Sequence, residues 1–348
     1  DLSSNPAGEL KELEIAMRLL LTLALCAPTL AFAEDITLEN LVRAETDHMI
    51  RQNIEAYGLE VGQIVHQRET VDLANQPVIR MNVDTIYSSL VLDLSEPVEI
   101  TLPEINGRYQ SMHVMSQEHY MFVEATPGTY RLTEEEVGTR FAALAFRTFI
   151  DPNDPDDVQA AHAAQDGIIV SGGGSGPFEA PDWDTEQLAV ARKALNDLAA
   201  AISFDSSLAF GRKDEVDQVH FLVGGIAGWA GLPARGAIYL IDVVDQNDGQ
   251  TPYAVTAKDV PVDAFWSITV YNADGYMEPN ALGRNNYNNV TADTNDDGSI
   301  TIHLGGCDDG RVNCIPITPG WSYAVRLYQP REEILNGSWS FPSFEPVN

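Results

Sequence analysis

Short runs in which apolar and polar residues alternate, each stopped by glycine, proline or asparagine, recur along this chain and restrict it to antiparallel β-structure. In GSITIHL, Ile300, Ile302 and Leu304 point one way and Thr301 and His303 the other. The segment YSSLVLDLSEPVEITLPEINGRYQSMHVMS has the same texture. Val91 to Ile100 and Tyr109 to Met115 are its clearest strands, with Asn106-Gly107 as a hairpin turn between them. FWSITVYN and SYAVRLYQ resume the pattern after Ala237. Two such blocks predict an antiparallel sandwich towards each end of the chain.

The middle reads differently. DPNDPDDVQAAHAAQDGI opens with proline and acids, and DTEQLAVARKALNDLAAAI carries an Asp184/Gln187 capping pair with Leu188, Leu195, Leu198 and Ile202 as an apolar stripe. A further helix is expected ahead of the first block, from a Thr37 cap through Leu38, Leu41, Val42 and Met49 to a stop at Gly58. The chain therefore divides into an N-terminal helix and sandwich at 34–150, a helical segment at 151–232 and a C-terminal sandwich at 233–348. The glycine-rich SGGGSGPFEAP is read as a loop, because no lysine follows and no strand-to-helix unit frames it as a phosphate cradle would require.

MRLLLTLALCAPTLAFAED has a positive start at Arg18, an apolar run from Leu19 to Leu30 and a small-x-small site at Ala31-Phe32-Ala33. That is the pattern of a secretory signal peptide over 17–33, leaving a mature chain from Glu34 with a periplasmic or secreted location. Residues 1–16 would bury the signal inside the chain, so they are read as an upstream or non-native segment outside the fold. Cys26 leaves with the signal. The remaining pair, Cys307 and Cys314, is expected to form a disulfide in an oxidising compartment, which would stabilise the fold by roughly 2–3 kcal/mol.

The chain carries 52 acids against 20 bases, and without the four acids and two bases ahead of Glu34 the charge is still about −30. Nucleic acid and anionic membrane surfaces are excluded as partners by that balance. Asp293, Asn295, Asp297 and Gly298 imitate the start of a calcium loop, but Leu304 stands where the bidentate glutamate belongs, and Asp297-Gly298 ahead of the alternating run is read as a β-hairpin turn. His113 and His119 flank Glu118. In one extended strand they lie about 20 Å apart, so they share a metal only if the chain turns between them. The sequence has no nucleophile elbow, zinc-protease helix, phosphate loop or dinucleotide fingerprint, and neither a metal nor an organic cofactor is expected.

VIRMNVDTIYSSLVLDLS, LPEINGRYQSMHVM and VGTRFAALAFRTFIDPNDPDDVQAAH resemble the first of two tandem domains of unknown function, numbered twelve-fifty-four. VPVDAFWSITVYNADGYMEPNALGRNN, DDGSITIHLG and CIPITPGWSYAVRLYQPREEILNGSWSFP resemble its usual partner, numbered twelve-fourteen, in an exported bacterial type. The resemblance implies an immunoglobulin-like N-terminal sandwich, a helical middle and a C-terminal jelly roll. Val83 stands where that family usually has arginine. The resemblance assigns no activity.

Polar residues cluster in RMNVDTIY and NALGRNNY. A continuous strand would put Arg80, Asn82 and Asp84 on one face and Tyr87 on the other; Asn280 and Arg284, with Tyr287, form a second group. Such residues can hold a polar ligand or orient a catalytic acid, or can be a satisfied buried network joining two domains. Three functional classes follow: a module binding a sugar or other small molecule, a hydrolase or lyase using Asp84 and an arginine, and a structural protein assembled as a homo-oligomer.

Overall fold

The computed structural model describes residues 33–76, 79–202 and 204–347. The expected signal peptide, apart from Ala33, lies outside the described residues, as do residues 1–16 and Cys26. Helix α1, Leu41–Tyr57, starts after Asn40. The Asn40 side chain accepts the Thr37 N–H at 2.8 Å, so Thr37 is held by the turn and does not cap it. Gly58 ends the helix in the left-handed conformation, as its lack of a Cβ allows.

The strands of the first block are β1 (Val65–His66), β2 (Thr85–Asp93), β3 (Val98–Leu102), β4 (Gln110–Ser116), β5 (Met121–Glu124), β6 (Gly128–Leu132) and β7 (Phe141–Phe149). The expected strand from Val91 to Ile100 is two strands of different sheets. The Asp93 carboxylate accepts the Ser95 N–H at 3.0 Å and turns the chain, and Pro97 removes a ladder donor just before β3. Asn106 and Gly107 do adopt positive φ. They carry the chain from β3 to β4 between layers, however, so no hairpin forms, because β3 pairs with β6 and with β8, Ile169–Gly172. A five-stranded sheet in the order β1-β2-β7-β4-β5 thus covers a three-stranded sheet, β6-β3-β8. Leu90, Leu92, Met112, Val114, Leu144 and Phe146 fill the space between them.

Helix α2 (Pro155–Asp166) precedes β8, and α3 (Thr185–Ala201) and α4 (Gln218–Ala227) follow it. Asp184 caps α3 by accepting from Glu186 and Gln187 N–H. The Gln187 side chain does not reciprocate; it accepts from Ile36 N–H. Of the apolar stripe only Leu188 is buried, against Leu41, Ala44 and Ile226.

The C-terminal sandwich uses β9 (Ala237–Asp242), β10 (Tyr253–Ala257), β11 (Trp266–Tyr271), β12 (Asn286–Asn288), β13 (Ile300–Leu304), β14 (Cys314–Ile315), β15 (Ser322–Tyr328) and β16 (Glu345–Pro346). Its two four-stranded sheets, β12-β11-β15-β9 and β14-β13-β10-β16, enclose Ile268, Val325, Ile302, Leu304 and Trp321, the strand number and layering of a jelly roll. Asn295 to Ser299 is a turn, with Gly298 at positive φ. It is not a hairpin, because the preceding β12 lies in the opposite sheet. The Cys307–Cys314 disulfide is formed, with Cα atoms 5.6 Å apart. Among the described residues no helix is long and apolar enough to cross a membrane.

The sandwiches meet along a seam. The face of the five-stranded sheet that turns away from its own core is shared: Val91, Met115 and Ala143 pack with Ile50 of α1 and with Phe210, while the end near Asp84, Tyr109 and Phe149 meets the outer face of β12-β11-β15-β9. Tyr109, Phe149, Phe265 and Tyr328 close one end of it, Phe265 and Tyr328 stacking with ring centroids 4.3 Å apart.

Candidate functional site at the seam between the sandwiches

The residues before β2 do not continue the strand. Arg80 has φ 57°, and the Asn82 side-chain oxygen accepts the backbone N–H groups of Asp84 and Thr85 at 3.1 and 3.2 Å. An Asx turn of this kind bends the chain. The predicted face therefore does not exist: Arg80 is exposed and reaches the other sandwich through its backbone, its N–H donating to the Gly275 carbonyl and its carbonyl accepting from Arg326, Asn82 donates to the Tyr87 hydroxyl at 3.0 Å, and Asp84 is wholly buried.

Asp84 accepts three hydrogen bonds, all from the other sandwich: Ser267 Oγ at 2.7 Å, Asn286 Nδ2 at 2.6 Å and Asn288 Nδ2 at 3.0 Å. Burial raises its pKa, against the lowering influence of Ser267, Asn288 and the Arg326 charge. Arg326, also buried, donates to Thr269 Oγ1 at 2.9 Å, Tyr271 Oη at 2.7 Å and the Arg80 carbonyl at 2.7 Å. These bonds make a network that joins the two sandwiches. Val83 packs beside Tyr271 and Met277 at its edge.

Asn280 and Arg284 lie elsewhere. Asn280 organises its own turn, accepting from Leu282 and Arg284 N–H, and lines a hollow of about 50 Å³ beside Tyr271 and Asn285. Arg284 stacks over Tyr287 at 5.3 Å, and Tyr287 packs against the C-terminal core. Neither is hydrogen-bonded to the Asp84 group among the described residues.

Pairing across β2, β7 and β4 sets Tyr87, Arg147 and Ser111 side by side on the seam face, and Gln67 joins the row where its N–H bonds the Tyr87 carbonyl. Arg147 lies over the Tyr87 ring at 5.4 Å. Burial pushes the Tyr87 phenol upward, but the Arg147 charge, Thr85 and Asn82 together hold it below its ordinary value. His113 accepts from Arg147 through Nδ1 at 3.4 Å, so its proton sits on Nε2, 3.0 Å from Met121 Sδ. Burial and then the Arg147 charge keep this imidazole neutral. The chain does turn between His113 and His119, yet the rings serve different partners: His119 Nε2 accepts the Ala230 N–H at 3.1 Å, and burial lowers its pKa to about 3. Glu118 pairs with Arg43 at 2.6 Å.

Beyond the aromatic end of the seam opens a cleft of about 870 Å³. Tyr109, Phe149 and Phe265 give it an apolar wall, and Glu104, Asp263 and the Arg108–Asp157 ion pair (2.5 Å) give it polar groups. Gln110 also lines it. The Gln110 amide donates to Thr148 Oγ1 and the Ala164 carbonyl, which leaves its buried Oε1 without a donor among the described residues. Asp84 does not line this cleft.

Sequence reasoning missed Gln67, Gln110, Arg147, Ser267, Asn286, Asn288 and Arg326. The arginines did leave a signal: each is a lone charge inside an apolar strand, in LAFRTF and AVRLY. A charge is tolerated at such a position only with a partner or a function.

Residues 61–171 match the family described as protein of unknown function DUF1254, and residues 236–332 match protein of unknown function DUF1214. No curated protein matches the chain. Among solved structures, the VPA0106 protein from Vibrio parahaemolyticus is similar over 89% of this chain and 98% of its own, with 19% identity and a TM-score of 0.67. An uncharacterised protein from Burkholderia cenocepacia aligns with 89% of this chain and 87% of its own, at 14% identity and a TM-score of 0.48. The first of these likenesses supports the fold, and neither speaks to activity.

Proposed function

We propose that this chain, which carries the DUF1254 and DUF1214 domains in tandem, is an exported protein that binds a small hydroxylated or ammonium-bearing molecule in the cleft between its sandwiches. The observation that carries this reading is Gln110: a buried acceptor without a donor, set in a cleft of about 870 Å³ with aromatic walls. Ligand sites of that size combine apolar walls with a few placed polar groups, and aromatic rings suit the C–H faces of a sugar. Glu104 and Asp263 favour a neutral or cationic occupant over an anion. Export is supported by the Met17–Ala33 pattern and by the Cys307–Cys314 bond. A hydrolase or lyase built on Asp84 has less support, since both carboxylate oxygens are committed and no part of the residue is exposed.

Titration calorimetry of the mature protein against a panel of neutral sugars, polyols and polyamines tests the reading. At least one class should bind saturably, and Gln110→Met should weaken it about tenfold, the worth of one buried hydrogen bond. Saturable binding left unchanged by Gln110→Met, or none across the panel, would overturn it.

A further inference from the structure

The seam face of the five-stranded sheet holds a second recess, distinct from the cleft. Ser89 and Ala145 lie on its two central strands and are directly paired, yet both keep accessible surface, whereas Ser88, Leu90 and Phe146 beside them are buried. Ala145 borders the apolar cluster of Ile50, Val91 and Met115, and the surface that it and Ser89 keep lies one pair along the same sheet face from Tyr87 and Arg147. Arg147 is 8% exposed and makes no ion pair among the described residues; its hydrogen bond is the long one to neutral His113. A guanidinium brings five donors in a planar fork, and one buried without an anion is strongly disfavoured. Independently, Gln67 at the end of the same row donates to Ser89 Oγ at 3.4 Å, while its buried Oε1 finds no donor. The recess thus shows unused donors at Arg147 and an unused acceptor at Gln67.

We propose that this recess binds a small hydroxylated carboxylate, its carboxylate on Arg147 and a hydroxyl on Gln67 Oε1. A planar carboxylate matches the fork in two parallel hydrogen bonds, which a halide cannot. The hydroxyl is needed because a carboxylate offers Gln67 no donor. Tyr87, held by Asn82, forms the wall over which the guanidinium lies. This site uses none of the cleft residues, and the two readings stand or fall separately.

The test is calorimetry and thermal melting of the full mature protein with glycolate and gluconate, against glucose, inorganic phosphate and matched sodium chloride. The hydroxycarboxylates should bind saturably and raise the melting temperature, glucose and chloride should not, and Arg147→Gln should weaken binding at least tenfold. Gln67→Leu, at a partly exposed position, should weaken it several-fold, and Gln110→Met should leave it unchanged. Where Arg147→Gln does not fold, Gln67→Leu decides. Four results would overturn the proposal: no saturable binding of either hydroxycarboxylate, tighter binding of phosphate, binding unaffected by the Arg147 or Gln67 change, and a phenolate absorption band at neutral pH that vanishes in Tyr87→Phe. The last would show that the counter-charge of Arg147 is already supplied by the chain.

Discussion

The two faces of the five-stranded sheet are built by the same strands and could hardly differ more. On the core face Leu90, Leu144 and Val114 cross β2, β7 and β4 as an unbroken apolar row, with Phe146 and Met112 beside it. Three residues away on each strand, the seam face presents Tyr87, Arg147 and Ser111. Both rows are largely buried, so exposure does not distinguish them. The difference is the cost of being buried: the apolar row gains from every contact, while the polar row is tolerated only where each donor and acceptor is met. The seam is therefore where incomplete partnering, at Arg147 and Gln67, has meaning.

Changes on the core face sharpen that contrast most. Phe146→Ala should lower stability by about 3–5 kcal/mol in urea unfolding, from lost transfer energy and the cavity left behind, with binding to the seam unaffected in the folded fraction. On the seam, Asp84→Ala strands three buried donors and should cost about 3 kcal/mol. Asp84→Asn should cost less than about 1 kcal/mol, because an amide can accept from both asparagines while donating to Ser267. If the two Asp84 variants proved equally damaging, the seam would depend on the charge and not on hydrogen-bond bookkeeping.

Acid titration separates the two ends of β2. Burial raises the pKa of Asp84, so its carboxyl holds a proton more readily in the folded chain than unfolded, where the ordinary value is 3.8. Its contribution to stability is full below 3.8 and is lost as pH rises through the folded value. Asp93 has the opposite sign: the Arg140 bonds at 2.8 and 2.9 Å hold its pKa to about 2, so its contribution is present above 3.8 and lost as pH falls towards 2. Stability measured against pH should show the Asp84 component vanish in Asp84→Asn while the Asp93 component persists. This is the smallest of the expected effects.

Much of the fold was legible. Gly58, the Asp184 cap, the alternation in β11, β13 and β15 and the cysteine pair all act through neighbours in sequence, and local chemistry is enough to place them. The Val91–Ile100 break was also local, at Asp93 and Pro97, and an apolar run obscured it. The destination of the chain after Asn106-Gly107 was not legible, because a turn sets a direction and says nothing about which sheet receives it. The candidate site is less legible. Asp84, Asn82 and Tyr87 stand out in the sequence as a polar group, but the turn at Asn82 breaks the strand that would order them, and the Asp84 partners lie far along the chain.

The Asp84 bonds have a consequence for how the molecule is made. Ser267, Asn286 and Asn288 follow Asp84 by 183, 202 and 204 residues. At a synthesis rate of about 5–20 residues per second, the carboxylate waits roughly ten seconds or more before its partners exist. Throughout that wait it is hydrated and ionised, and the N-terminal sandwich must keep its polar row facing water. Closing the seam is thus the act that commits the two halves to each other, and any chain released before Asn288 leaves the ribosome with that face uncovered.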